Sequence, residues 1–330
     1  MRAFAYLRAD GADPAARDGS VAGTRFLAGG TTMLDLMKCG VERPARMVDI
    51  GHLDGLDGIE VDAGTVRIGA LARMSRVADH PDIRRAAPAL AESLSQAASP
   101  QVRNMATVAG NVLQRTRCAY FRDASGNARC NKRLPGSGCA AIDGIHRNHA
   151  ILGTSDACIA TYPGDLAVAL VAFDATVRIE GPRARTVRVE DFLRMPGDRP
   201  DIEHDLVPGE LVTAIEVPVS VPLRRSRYLK VRDRASYEFA AASAAVGVEL
   251  SPDGGTIWEA RVALGGVATR PWRARAVEAA LRGQPFDEAV IRRASALAVA
   301  GARPLAQNAH KTILAPRVVA RALLDMEARP

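Results

Sequence analysis

Four of the five cysteines of this chain lie in one segment: Cys118, Cys130, Cys139 and Cys158. The residues between them are rich in Gly, Asn, Arg and Asp, so the segment cannot bury enough apolar surface to order itself. Long loops inside compact domains usually have a function. Four thiolates on one metal centre would supply the order, because the free energy of metal binding is also folding free energy. The segment therefore predicts a metal-bound loop.

The cysteine spacing does not identify the metal, because no two of these cysteines are separated by only two residues, as in zinc knuckles and ferredoxins. Four thiolates suit zinc and iron–sulfur clusters equally, and His146 or His149 could replace one of them. Cys39 is predicted to be a packed thiol. Six basic residues flank these cysteines: Arg115, Arg117, Arg122, Arg129, Lys132 and Arg133. They could offset the charge of an iron–sulfur cluster and raise its reduction potential. The alternative is that they form a solvated basic loop.

A glycine turn at residues 27–32 is a second stretch that could do chemistry. A short apolar strand leads into Gly29 and Gly30, and apolar residues at helical spacing follow. Backbone amides in such a turn and at the next helix N-terminus form an anion site, to which Thr31 and Thr32 can add hydroxyl donors. The stretch matches neither the dinucleotide fingerprint nor the P-loop. An ordinary capped strand–helix turn is the alternative.

Two further stretches could approach a ligand closely. Gln101–Leu113 places small residues around Thr107 and Asn111, which allows the backbone to approach a flat or phosphorylated group. Asp156–Leu170 predicts a strand, a Pro-Gly turn and a helix that begins near Asp165, where a carboxylate suits the helix dipole. The alternative for both stretches is turn chemistry alone.

Composition excludes several classes of protein. The chain has 330 residues, 48% of them hydrophobic, which suits one large and one smaller folded domain. Its net charge of +7 is scattered, and only 4% of the residues are aromatic, so nucleic-acid binding is not predicted. No apolar run could span a bilayer or form the hydrophobic core of a signal peptide. We therefore expect cytosolic synthesis, with export to the periplasm only alongside a signal-bearing partner.

Motifs along nearly the whole chain resemble one family. LAGGTT at 27–32, ATVAGNV at 106–112 and YPGDLAVAL at 162–170 are similar to motifs in the FAD-binding medium subunits of the molybdenum hydroxylases, which include xanthine dehydrogenases and aldehyde oxidoreductases. Residues 228–240 and 264–271 resemble signatures of the small C-terminal domain of that subunit. The four-cysteine insertion resembles that of the periplasmic aldehyde oxidoreductases and of 4-hydroxybenzoyl-CoA reductase, in which it holds a 4Fe–4S cluster.

The resemblance implies cofactor-binding positions. Those assigned to the FAD pyrophosphate follow the first motif: Leu27, Ala28, Gly29, Gly30, Thr31, Thr32 and Leu34. Those assigned to the flavin and its diphosphate lie in the second motif: Thr107, Ala109, Gly110 and Asn111. Asp165 would contact the adenosine or ribityl part, Leu211 or Val212 would pack on the ring, and Lys230 would stabilise reduced anionic flavin. The 4Fe–4S ligands would be Cys118, Cys130, Cys139 and Cys158.

The resemblance also implies an α+β fold. Residues 1–220 would form a two-lobed FAD-binding domain of the vanillyl-alcohol-oxidase and CO-dehydrogenase-flavoprotein type, with lobes at about 1–55 and 56–220 and the cluster insertion at about 114–158. Residues 221–330 would form a smaller α+β domain.

Sequence patterns add detail to these domains. They predict one helix at Pro81–Ala98, and they leave open whether the Gly- and Asp-rich residues 11–21 form the family's usual helix. The second domain is predicted to have a three-stranded antiparallel sheet. Three helices follow that sheet: Pro271–Arg282, Phe286–Ala300 and Asn308–Met326.

By resemblance, the chain is an electron-transfer subunit of a heterotrimer, or of a dimer of heterotrimers. A large partner with a molybdenum cofactor would oxidise an aldehyde, and 2Fe–2S clusters in a small partner would pass the electrons to FAD here and then to an external acceptor. One alternative is a 4-hydroxybenzoyl-CoA-reductase-like subunit. Another, from a different class, is a zinc-stapled structural or interaction module.

Overall fold

The first lobe contains a three-stranded parallel sheet. The computed structural model describes residues 2–326, so residue 1 and residues 327–330, the outer ends of the predicted domains, lie outside the described residues. The lobe's elements are β1 (Ala5–Arg8), α1 (Ala12–Gly19), β2 (Thr24–Leu27), α2 (Met33–Lys38) and β3 (Arg46–Asp49). The central strand is β3, and α1 forms in the segment whose sequence left a helix open.

The second lobe is built on a five-stranded antiparallel sheet. Its strands are β4 (Ile59–Val61), β5 (Thr65–Gly69), β6 (Thr176–Glu180), β7 (Arg185–Arg188) and β8 (Leu211–Pro218). They lie in the order β4-β5-β8-β6-β7. Seven helices accompany this sheet: α3 (Met74–Asp79), α4 (Pro81–Ala86), α5 (Pro88–Ser95), α6 (Pro100–Met105), α7 (Val108–Val112), α9 (Leu166–Ala172) and α10 (Val189–Phe192).

Three helices of this lobe explain its core and correct one prediction. Every residue of α9 is buried, as expected for a helix that is apolar on all sides. The single helix predicted at Pro81–Ala98 is wrong, because α4 ends before Ala87 and α5 begins at Pro88. The ring of Pro88 disfavours helical backbone at Ala87, whose φ is −147°.

The cysteine-rich insertion is largely irregular, with one short helix, α8 (Ala140–Asp143). Polar contacts tie it to the rest of the chain. Arg117 and Arg122 bind Asp35 of the first lobe, and Lys132 binds Glu203 of the second. Beyond these contacts, the chain at 151–152 is buried in the core of the C-terminal domain. The insertion is therefore held by both lobes and by the C-terminal domain.

The C-terminal domain has a four-stranded antiparallel sheet rather than the predicted three strands. Its strands are β9 (Ser226–Val231), β10 (Ala242–Leu250), β11 (Ile257–Gly265) and β12 (Trp272–Arg273). The added strand, β12, occupies the start of the helix predicted from Pro271. Four helices and a 3-10 turn complete the domain: α11 (Val221–Arg224), α12 (Arg275–Leu281), α13 (Glu288–Ser295), the turn Ala296–Val299, and α14 (Lys311–Leu324).

Buried apolar residues of β10, β11 and α14 share one hydrophobic core in this domain. The longest described helix, α14, has 14 residues. Across residues 2–326, helices of sufficient length and hydrophobicity to span a bilayer are absent.

Candidate functional site

The glycine turn lies between the end of β2 and the start of α2. Gly30 has a φ of +73°, a conformation that glycine adopts without strain. A Cβ on Gly29 would lie 2.0 Å from the carbonyl oxygen of Met105, the last residue of α6. Only glycine therefore allows this close backbone approach, which brings the turn against the start of the second motif. Leu34, assigned to the same FAD contact, is 40% exposed.

The second motif forms the tight turn that opens α7. Thr107 caps this helix, because its Oγ1 accepts a hydrogen bond from the Gly110 amide at 3.2 Å. The amides of Val108 and Ala109 donate to carbonyls of Ala72 and Ala70, which fixes the motif on the edge of the second lobe. The buried Oδ1 of Asn111 accepts no hydrogen bond from any described residue.

An orphaned buried acceptor marks a place where a donor is missing. Together with the glycine turn, Asn111 Oδ1 fits a ligand that carries hydrogen-bond donors and a pyrophosphate. The structure thus brings together two of the stretches assigned to FAD, residues 27–32 and 107–111. Thr32, by contrast, caps α2 without a side-chain hydrogen bond.

Asp165 and Lys230 form a buried ion pair between the two domains. The Lys230 Nζ lies 2.8 Å from Asp165 Oδ2 and also donates to the Gln96 carbonyl at 3.2 Å. The Tyr228 hydroxyl donates to the other oxygen of Asp165 at 2.6 Å. Burial raises the pKa of Asp165, while Lys230 and Tyr228 counteract that shift.

The ammonium group of Lys230 therefore already has an anionic partner. The sequence predicts a cation beside the flavin, and the structure places that cation in a salt bridge whose side chains are 1% and 6% exposed. The contact of Lys230 with the isoalloxazine stays a prediction, and so does that of Asp165.

Leu211 and Val212 begin β8 and join the cores of the two lobes. Leu211 packs in the core of the first lobe, which includes Val48 and Leu71. Val212 belongs to the core of the second lobe and pairs with Ile179 at an irregularity in the sheet. Both side chains have protein partners, and packing of either on a flavin stays a prediction.

The four cysteines of the insertion, here called the cysteine cluster, are all free thiols: Cys118, Cys130, Cys139 and Cys158. Cys130 and Cys139 face each other in an isolated antiparallel bridge. Burial, with smaller contributions from the nearby Cys130 and Cys139, raises the pKa of Cys118 to about 11. Burial likewise raises the pKa of Cys158 to about 12, against the opposing effects of Lys132 and the Ala160 amide and with small contributions from Cys139 and Cys118.

These shifts show that the thiols of the cysteine cluster lie within electrostatic range of one another. Their protonated forms are favoured unless a cation compensates the charge, and metal ions do this for coordinating thiols. In the part of the chain that the structure describes, three or more His, Cys, Asp or Glu side chains nowhere converge on a single ion.

Polar groups lie within hydrogen-bond distance of two of the sulfurs. The Ala160 amide donates to Cys158 Sγ at 3.4 Å. His149 Nε2 lies 3.2 Å from Cys118 Sγ. Burial, with smaller contributions from the nearby Lys311 and His146, lowers the pKa of His149 to about 4.

The basic residues of the insertion mostly bind carboxylates of the protein itself. Arg115 and Lys132 bind Glu203, and Arg117 and Arg122 bind Asp35. Sequence reasoning missed both carboxylates because they lie far from the insertion along the chain. These cations therefore cross-link the insertion to both lobes, and the charge of Lys132 also acts on the Cys158 thiol, whose pKa it lowers.

One cavity of about 410 Å³ lies between the cysteine cluster and the buried ion pair of Asp165 and Lys230. Cys118 of the cysteine cluster lines it, and so does Asp165 of the buried ion pair. Residues 238–241 of the C-terminal domain close another side, where the Phe239 ring lies under the guanidinium of Arg117 at 5.1 Å. The aromatic cover at Phe239 was not singled out from the sequence.

Comparisons with known proteins identify the family to which the two domains belong. Residues 3–220 match the FAD binding domain in molybdopterin dehydrogenase, and residues 227–326 match the CO dehydrogenase flavoprotein C-terminal domain. The chain is 46% identical to the aldehyde oxidoreductase FAD-binding subunit PaoB of Escherichia coli K12 over 100% of both chains. It is 28% identical to the glyceraldehyde dehydrogenase medium chain of Sulfolobus acidocaldarius, covering 88% of this chain and 84% of that one.

A solved structure shows the same fold. The match is to carbon monoxide dehydrogenase from Hydrogenophaga pseudoflava, with a TM-score of 0.76 and 27% identity over 99% of this chain and 98% of the other. The predicted α+β fold and family are therefore confirmed. The chain belongs to the FAD-binding medium subunits of the molybdenum hydroxylases, as an oxidoreductase subunit.

Proposed function

We propose that this chain is the FAD- and 4Fe–4S-binding medium subunit of a molybdenum-containing aldehyde oxidoreductase. Full-length similarity to the FAD-binding subunit of such an enzyme supports the substrate class. The partners are a large subunit with the molybdenum cofactor and a small subunit with 2Fe–2S clusters. Bound FAD supplies the chemistry that collects electrons from substrate oxidation and delivers them to an external acceptor.

The shared cavity is the observation that carries this proposal. Cys118 and Asp165 line the same space, so a cluster on the cysteines and a flavin beside Asp165 would be neighbours. A short separation between redox groups is what an electron-transfer subunit needs. The domain limits proposed from the sequence, 1–220 and 221–330 with the insertion at 114–158, place this cavity at the junction of all three parts.

The protein's own residues bind and orient the cofactor. The backbone of Gly29 and Gly30 cradles the pyrophosphate, and Asn111 Oδ1 accepts a hydrogen bond from the ligand. The salt bridge between Asp165 and Lys230 holds the C-terminal domain against the FAD-binding domain. Phe239 and Arg117 cover one side of the cavity and limit the access of water.

The resemblance of the four-cysteine insertion to insertions that hold a 4Fe–4S cluster favours that cluster over zinc. A 4Fe–4S cluster binds one thiolate per iron. The Ala160 amide donates to Cys158 Sγ at 3.4 Å, and hydrogen bonds to the sulfurs tune the potential of such a cluster.

The test is a spectrum of the complex purified with its partners, before and after reduction with dithionite. We expect a flavin absorbance, four irons per chain beyond those of the 2Fe–2S partner, and a fast-relaxing EPR signal. Cys130→Ser should abolish that signal, and Cys39→Ser, at a free thiol outside the cluster, should preserve it.

Several results would contradict the proposal. Bound zinc without the additional iron would support the alternative of a zinc-stapled structural or interaction module. A normal EPR signal in Cys130→Ser would remove that residue from the ligand set. A complex that is inert towards aldehydes and reduces an aromatic acyl-CoA would identify the 4-hydroxybenzoyl-CoA-reductase type.

A further inference from the structure

A buried histidine faces one sulfur of the cysteine cluster. His149 is 7% exposed, and its Nε2 lies 3.2 Å from Cys118 Sγ. The other ring nitrogen, Nδ1, is also buried and has no hydrogen-bond partner among the residues that the structure describes. The imidazole is thus committed to a single polar contact, and that contact is the sulfur.

The direction of this hydrogen bond follows from the chemistry of the partner. A thiolate bound to a metal has no proton and can only accept. Nε2 is the ring nitrogen that faces the sulfur, and an imidazole nitrogen that carries a proton is a donor. A bound cluster would therefore be matched by an N–H on Nε2 of His149 that donates to Cys118.

The C-terminal domain fixes this histidine in place. The fully buried Asn308 side chain donates to the carbonyls of His149 and Ala150 at 3.5 and 3.2 Å. The His149 amide donates to the His146 carbonyl at 2.9 Å. Tyr120 lies against the imidazole with ring centroids 6.4 Å apart. The donor is therefore pre-positioned before any cluster binds.

We propose that His149 is a positioning residue that holds the Cys118 thiolate through this N–H···S bond and raises the reduction potential of the 4Fe–4S cluster. The inference rests on the proposed function, because it requires the cluster to be present. Hydrogen bonds to ligand sulfurs stabilise the more negative, reduced state and so raise the potential. Cys118 is also the ligand that lines the cavity shared with Asp165.

The test compares two variants of the purified complex. His149→Phe keeps a ring in the pocket and removes the donor, and His149→Gln keeps an N–H donor near the position of Nε2. The iron and flavin contents are measured first, followed by the midpoint potential of the cluster in an EPR-monitored redox titration. We expect His149→Phe to shift the potential to more negative values, by 59 mV for each tenfold loss in preference for the reduced state. His149→Gln should restore most of that shift.

A measurement on the unmodified complex covers the case in which His149→Phe fails to assemble. With ¹⁵N-labelled histidine, pulsed EPR of the reduced cluster should show a histidine nitrogen coupling that is absent from His149→Gln. A loaded cluster with an unchanged potential in His149→Phe, or without that coupling in the unmodified complex, would overturn the role of His149. A complex without any 4Fe–4S signal would instead overturn the proposed function.

Discussion

Replacing Gly29 with alanine tests the contact that joins the two stretches assigned to FAD. The added Cβ would lie 2.0 Å from the Met105 carbonyl oxygen, whereas an ordinary contact begins at 3.4 Å. The turn and α6 would therefore have to separate by roughly 1.4 Å, and overpacking of this kind costs about 1–3 kcal/mol. If that free energy is lost from FAD binding, the affinity falls about 5- to 150-fold.

The assay is FAD content per chain after dialysis, together with the FAD dissociation constant from flavin fluorescence. Gly58→Ala is the matched control, because a Cβ there would approach only the flexible end of Glu60, at 3.9 Å. We expect the control to bind FAD like the unmodified chain. Equal FAD affinity in Gly29→Ala and Gly58→Ala would refute the argument that close backbone approach at Gly29 shapes the site.

Two buried lysines give further predictions. Lys230→Met leaves Asp165 buried without its cationic partner and should cost about 3–5 kcal/mol of unfolding free energy. Urea denaturation measures this loss. The control is the double variant Asp165→Asn, Lys230→Met, which should lose less because no unpaired charge is left buried. Burial lowers the pKa of Lys311 to about 7 from 10.5, so its protonated form destabilises the fold below pH 7, and this penalty declines as the pH rises towards 10.5. The unfolding free energy of the unmodified chain should therefore rise between pH 7.5 and 9.5 relative to that of Lys311→Met. Urea denaturation measures both, and the same difference between the two proteins at both pH values would contradict this.

Local sequence signals predicted the stretches that carry the site. The order of apolar residues, glycines and threonines is enough to place a strand, a turn and a helix at residues 24–38. The same reasoning failed at Ala87, where the constraint imposed by Pro88 outweighs the apolar pattern on either side. It also missed β12, because two residues are too short to show a strand period.

Long-range pairings were not predictable from the sequence. Nothing local to Lys230 indicates that Asp165 will neutralise it, since the partners are 65 residues apart. The pairing of Arg117 with Asp35 spans 82 residues. In each case the sequence did not indicate the protein partner that the folded chain supplies, and the assigned action of the charge on a cofactor stays a prediction.

The way the insertion is anchored has a consequence for the timing of synthesis. His149 is held by Asn308, which is 159 residues later in the chain. At 5–20 residues per second, a ribosome needs roughly 8–30 s to make the intervening chain. Once Cys158 has been made, nine residues after His149, all four cysteines of the cluster are present while the C-terminal anchor is still missing. The proposed 4Fe–4S cluster would therefore have a period in which it can be inserted before the anchor is made, and docking of the C-terminal domain would then cover the loop.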